Sequence, residues 1–165
     1  MRKEKGFSMI ELVIAMAIIG ILAAIAIPTY VGQKQRTYES SAASDVRHLY
    51  MFESSFYNDH LVYVAVVPSD KVQGIISKTI TLNNGSTALF EISTLTPATE
   101  VAVNIDGTKQ YANIAAYHPG GSNIIARESD GLSDFRKTPF DGTLTSGDVP
   151  AATSGNDLSS WEIYQ

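Results

Sequence analysis

The sequence predicts an α+β chain: one long N-terminal helix, apolar in its first half and amphipathic in its second, packed against an antiparallel β-sheet of about four strands. Three observations predict it. Glu11 is the one charged side chain between Phe7 and Gln33. No glycine or proline follows Gly32 until Pro68, and apolar residues recur there at helical spacing. From Leu61 onward, short runs rich in Val, Ile, Thr, Tyr and Phe alternate with turn residues.

The first six residues, MRKEKG, form a basic tip with Arg2, Lys3 and Lys5 against Glu4. The run from Phe7 to Tyr30 follows, and about 20 apolar residues in a helix suffice to cross a bilayer core. A basic flank before the span predicts a cytoplasmic N-terminus, with everything after Lys34 on the far side. A cleaved secretory signal has a shorter apolar region and a small-residue cleavage site, which this segment lacks.

Between Gly32 and Pro68, Tyr38, Ala42, Val46, Leu49, Phe52 or Glu53, and Phe56 fall on one helical face, with Arg36, Glu39, Asp45 and Arg47 largely between them. The helix is expected to continue to about Asn58. The runs LVYVAVV, IISKTITL, STALFEIST, EVAVNI, KQYANIAAY and NIIARES then read as strands. Asn83-Asn84-Gly85, Asp106-Gly107, His118-Pro119-Gly120-Gly121 and Asp130-Gly131 turn the chain between them. An antiparallel meander with one face on the helix and the other in solvent is predicted. The tail from Ser133 is expected to be mostly loop, with Trp161, Ile163 and Tyr164 docking on the sheet.

Composition excludes several function classes. The 165 residues hold no cysteine, which removes disulfides, thiolate metal sites and a cysteine nucleophile. The net charge is −5, and without the first six residues nine basic face sixteen acidic side chains, a net of −7. A dedicated nucleic-acid binder is not expected, since any such surface would rest on a few residues such as Lys34, Arg36, Arg127, Arg136 and Lys137. His48, His60 and His118 are scattered without ligand or triad spacing, so no catalytic residue is assigned.

Glu11 needs a reason to exist, because a carboxylate at the centre of a membrane helix costs about 2.5–3.5 kcal/mol on insertion scales. The segment Lys5-Gly6-Phe7-Ser8-Met9-Ile10-Glu11-Leu12, with the apolar run to Pro28-Thr29-Tyr30, resembles the N-terminus of type IV prepilins and their pseudopilin relatives. The close match covers about residues 3–30; beyond them the helix-then-sheet layout is similar in outline. The resemblance implies the type IV pilin fold and cleavage between Gly6 and Phe7 by a membrane-embedded prepilin peptidase, which also methylates the new Phe7 amine. It further implies that Glu11 of one subunit pairs with the Phe7 amine of its neighbour as identical subunits polymerise. A mispaired charge in the apolar filament core would then penalise a wrong register.

On that reading residues 1–6 are the leader, 7–30 the membrane and filament-core helix, 31–58 the amphipathic helix, and 59–165 the β-sheet head with its C-terminal loop region. Gly20, with Ala23 and Ala24, allows close helix approach. Pro28 leaves the Ala24 carbonyl without its helical donor and kinks the helix. In related filaments the helix between the positions matching Gly20 and Pro28 becomes extended on assembly, and the same is expected here. The resemblance places the subunit in the inner membrane before assembly and in an extracellular pilus afterwards, with inner-membrane assembly machinery as a partner.

A pseudopilin of a type II secretion system is the nearest alternative, and a membrane-anchored binding domain that never polymerises is another. Asp130, Asp134 and Asp141 are candidate calcium ligands, because some major pseudopilins bind calcium in this region. Their spacing matches no EF-hand loop, and turns are the plainer account. No other cofactor is expected. Asn84-Gly85-Ser86 has the form of a glycosylation sequon, although Asn-Gly reads first as a hairpin turn.

Overall fold

A computed structural model of the chain describes residues 6–131 and 134–164. Two compact units divide at Lys34 and Gln35. The basic tip formed by Arg2, Lys3 and Lys5 lies outside the described residues. Helix α1, Met9–His60, contributes to both units.

In the first unit α1 starts two residues later than Phe7. Ser8 stands before the first turn, and its backbone N–H donates to Glu11 Oε2 at 2.8 Å. This is the reach-back half of a capping box, in which a glutamate in the first turn satisfies an N–H that has no helical acceptor. The side chains that follow are exposed, and an 18-residue window has a mean hydropathy of 2.8, long and apolar enough to cross a membrane. The helix runs through Pro28. Next to it the Thr29 hydroxyl donates back to the carbonyls of Ile25 and Ala26, at 3.1 and 2.9 Å.

The second unit has three layers. Ala42, Ala43, Val46, Leu49 and Phe56 form the buried stripe of α1, at the three- and four-residue steps of one helical face. Between the two residues the pattern left open, the structure buries Glu53 completely and leaves Phe52 39% exposed. The helix ends at His60 and is followed by Leu61, whose φ is +56 and whose N–H closes on the Tyr57 carbonyl at 2.7 Å.

The expected single sheet of about four strands is two antiparallel sheets. The smaller joins β1 (Lys71–Val72), β2 (Ile75–Thr81) and β3 (Thr87–Ile92). The larger is a meander of β4 (Glu100–Ile105), β5 (Ala112–Tyr117), β6 (Asn123–Glu128), β7 (Arg136–Pro139) and β8 (Glu162–Ile163). The chain leaves the first sheet after β3 because Pro97 has no N–H for a ladder and Asp45 accepts the Thr96 N–H at 3.1 Å. In the β1–β2 hairpin, Gln73 and Gly74 have φ of +51 and +86, the signature of a type I′ turn. A Cβ on Gly74 would lie 2.2 Å from the Leu95 carbonyl oxygen.

Two expectations fail for stated reasons. LVYVAVV contributes one isolated bridge, Val66 to Val103, rather than a strand. Its other polar groups go elsewhere: the Val64 N–H to Glu53, the Tyr63 N–H to the Lys109 carbonyl, and the Ala65 carbonyl to the Lys78 ammonium. The tail is mostly loop, as expected, and adds two short strands: the open edge of β6 takes β7 as a partner and β7 in turn takes β8.

The outer face of the large sheet is not solvated either. It carries Ala102, Ala115, Tyr117, Ile124 and Ala126, which Leu144, Val149 and Leu158 from the tail cover. Opposite-facing Val101, Val103, Ile114, Ala116 and Ile125 pack with α1. That alternation explains why every residue of β5 is buried. Trp161 packs on the outer cluster and Tyr164 on the helix-side cluster, whereas Ile163 stays 49% exposed.

Candidate functional site

The residues expected to serve processing and assembly, Gly6, Phe7, Glu11, Gly20 and Pro28, fall in the first unit. A Cβ added at Gly6 would meet nothing within 4 Å among the described residues. Phe7 is 87% exposed. Five residues past Gly6, the Glu11 carboxylate holds the Ser8 N–H, so in the single chain it already has a local partner. The arrangement keeps an anion beside the first turn of a helix, where the unpaired N–H groups favour negative charge. Gly20 adds no side chain to the apolar surface and has nothing within 4 Å of a Cβ position. Ser8 was not singled out in the sequence, although Ser8-Met9-Ile10-Glu11 has the S-x-x-E form of a capping box.

A second set of residues fixes the head's C-terminal tail, and none was foreseen in this role. Asn104 and Asn113 face each other across β4 and β5. The Asn104 amide donates to the carbonyls of Ser146 and Val149, at 2.9 and 2.7 Å. The Asn113 amide donates to the carbonyls of Pro150 and Ala151 and to Asp157 Oδ2, at 3.3, 3.2 and 3.1 Å. Three acids take tail N–H groups: Glu100 that of Leu144, Glu128 that of Leu158, and Asp130 that of Gly155. The tail is therefore laced to the sheet by side-chain amides and carboxylates. The sequence signal did not reach this far: a two-residue turn at Asp106-Gly107 would set Asn104 opposite Lys109, and the longer loop, closed by the Asp106 N–H on the Tyr111 carbonyl with Lys109 at φ +60, is what brings Asn104 opposite Asn113.

Early in the second unit's part of α1, Glu39 accepts from the Ser122 hydroxyl and the Asn123 amide, at 2.8 and 2.6 Å. His118 stacks on Tyr38 with ring centroids 4.2 Å apart. Gly120 fits under that ring, because a Cβ there would come within 2.3 Å of it. Glu53 accepts the Val64 N–H at 2.9 Å with one oxygen, while the other is buried without a hydrogen bond. Burial pushes its carboxyl up to about 8, against the lowering effect of the Val64 bond.

The calcium candidates are not gathered. Asp130 is engaged with Gly155, Asp134 lines a small cleft with Glu128, Arg136, Asn156 and Leu158, and Asp141 lies near Tyr117. Among the described residues no three His, Asp or Glu side chains are grouped as metal ligands. His60 rests on Phe56, away from the Tyr38–His118 pair. Of the basic residues that a nucleic-acid surface would need, Arg136 donates to the Trp161 carbonyl and Lys137 sits 3.9 Å from Glu162. The Asn84 amide oxygen accepts from the Ser86 N–H and hydroxyl, at 3.0 and 2.7 Å, which is the hairpin turn that Asn-Gly predicted.

Comparison with known proteins agrees with this anatomy. Residues 1–27 match the family model described as the prokaryotic N-terminal methylation motif. A fimbrial protein of Pseudomonas aeruginosa is 35% identical over 147 residues, 84% of this chain and 90% of that one. The type IV major pilin protein PilA of Myxococcus xanthus is 44% identical over 57 residues, and the match spans 34% of this chain but 26% of that longer one. The type II secretion system core protein G of Vibrio cholerae is 32% identical over 63 residues, 38% of this chain and 43% of that one. With the N-terminal motif and a full-length relative in agreement with the helix-and-sheet architecture, the chain belongs to the type IV pilin family.

Proposed function

We propose that this chain is the structural subunit of a type IV pilus filament, made as a membrane-anchored precursor. Prepilin peptidase removes the leader after Gly6 and methylates the Phe7 amine. The apolar half of α1 holds the subunit in the inner membrane, with the N-terminus cytoplasmic, until assembly machinery draws it into a homopolymer. The reading is structural rather than catalytic, with no cofactor required.

The observation that carries it is the exposed apolar stretch of α1 with Glu11 as its one charge, four residues beyond the proposed new N-terminus. In the precursor Glu11 caps its own helix through Ser8. Cleavage places a cationic amine at Phe7, and the same carboxylate then has a charged partner to exchange for a neutral N–H. A charge-assisted bond is roughly twice as strong as a neutral one and stronger still where water is excluded. In a filament core the Phe7 amine of a neighbour meets that need, which sets the axial step between subunits.

The test is Glu11→Ala, followed by fractionation, electron microscopy of sheared filaments and mass spectrometry of the mature N-terminus. Membrane insertion and cleavage before Phe7 should persist while filaments are lost. Normal filaments from the variant, or a mature chain beginning elsewhere, would end the proposal. The match to core protein G favours one other reading, a pseudopilin of type II secretion. Long surface fibres made of this chain select the pilus, and short periplasmic ones the pseudopilus.

A further inference from the structure

Nine basic side chains follow the N-terminal tip, and two of them share an unusual setting on the head. The Arg127 guanidinium of β6 lies 3.8 Å from the centroid of the Tyr50 ring on α1 and 5.7 Å from that of Phe135. Arg47, exposed on α1, lies 5.4 Å from the same Phe135 ring. Two guanidinium groups from different elements thus converge on one phenylalanine.

Neither has a carboxylate within 4.0 Å among the described residues, where the ion pairs are Lys78 with Asp70 and Lys137 with Glu162. Arg127 Nε is buried and has no hydrogen-bond partner. Aromatic faces attract the charge but offer no lone pair to a guanidinium's five donors. Asp134, next to Phe135 in sequence, lines the cleft on the Glu128 side instead. This acidic chain therefore holds two cations together and, among the described residues, pairs their donor forks with no carboxylate.

We infer that Arg47 and Arg127, set around Phe135, form a seat for a carboxylate of a second copy of this chain in the filament. The inference rests on the pilin reading, which packs identical heads side by side. A planar fork matches a carboxylate in two-point geometry, and the rings beneath hold both forks in place before the partner arrives. Charge complementarity names the occupant: beyond the tip the chain carries sixteen acidic side chains against nine basic ones, so a neighbour presents mostly anions. Asp59 and Asp141 are exposed acids without a hydrogen bond or ion pair among the described residues, and they are the first candidates to fill it.

The experiment uses the full-length chain in cells that assemble it, comparing wild type with Arg47→Gln and with the Arg47→Gln, Arg127→Gln double variant. Arg47 is exposed, so its single variant keeps the fold, which circular dichroism of the solubilised chain checks. The expected result is a two- to fivefold drop in sheared-filament yield for Arg47→Gln, on the scale of about 0.5–1 kcal/mol per surface ion pair. Wild-type filaments should also dissociate as NaCl rises from about 50 to about 500 mM, with a weaker salt response in the variants. Because the chain lacks cysteine, Arg47→Cys paired with Asp59→Cys or Asp141→Cys should form a disulfide dimer between subunits at one of the two acids.

Unchanged yield and salt response in both variants would overturn the inference while leaving the pilin reading intact. So would a wild-type filament that binds a short DNA duplex through Arg47 with no change in assembly, since the seat would then serve a nucleic acid. Wild-type chains that form no filament would remove the pilin reading and this inference together.

Discussion

The unit that ends at Lys34 and the head that begins at Gln35 are built on opposite principles, although one helix supplies residues to both. In the first, an apolar surface long enough to cross a membrane has no cover, and the polar contacts are local, such as Ser8 to Glu11 and Thr29 to Ile25. In the second, sheet residues alternate between two covered faces, and distant side chains tie the layers together. Burial of apolar area is the main favourable term in folding. The first unit has therefore deferred that term to lipid or to other copies, and the second has already realised it.

The contrast breaks most visibly at the core. Ile114, fully buried in β5, loses packing and leaves a cavity as Ile114→Ala, which should destabilise the head by about 2–5 kcal/mol. Ile18→Ala, on the exposed stretch, should move the same transition by less than about 0.5 kcal/mol. Denaturant unfolding of the full chain in micelles, followed by the fluorescence of its single tryptophan, Trp161, measures both. Equal losses would mean that the two units unfold as one.

A smaller effect tests how the tail is held. Asn113→Ala removes the amide that reaches the Pro150 and Ala151 carbonyls and Asp157, and should cost about 1–3 kcal/mol. Limited proteolysis should then cut near Ala151–Gly155 before any cut in the sheet. Simultaneous cutting of sheet and tail would show that the tail has no separate stability.

The subtlest effect is on pH. An acid raised in the folded state keeps its proton there after the unfolded chain has released its own, so it makes stability fall as pH rises from about 4.5 to about 8. Below and above that window its contribution is level. Glu53→Gln should flatten this decline and leave the head more stable than wild type at pH 8, read from thermal melting across the window. An unchanged difference between wild type and variant at every pH would show that Glu53 does not titrate there.

Local chemistry made much of the molecule readable before its shape was known. The apolar run, the helical stripe from Ala42 to Phe56 and the Asn84-Gly85 hairpin each depend on neighbours within a few positions. What failed depended on long-range competition for backbone groups. LVYVAVV has the composition of a strand, but Glu53 and Lys78, remote in sequence, take the bonds that a ladder needs. The alternation in β5 was hidden because both faces are covered, one by α1 and one by a tail rich in turn residues. Glu53 stood as an alternative to Phe52 because hydrophobic spacing alone does not foresee a buried acid receiving the Val64 N–H.

The lacing of the tail by Asn104, Asn113 and three carboxylates has a chemical consequence for any fibre built from this chain. No sulfur–sulfur link is available to be opened, so thiols, glutathione or an anaerobic, strongly reducing habitat cannot unpick the head's closing segment. Its durability is set by water and temperature rather than by electron supply.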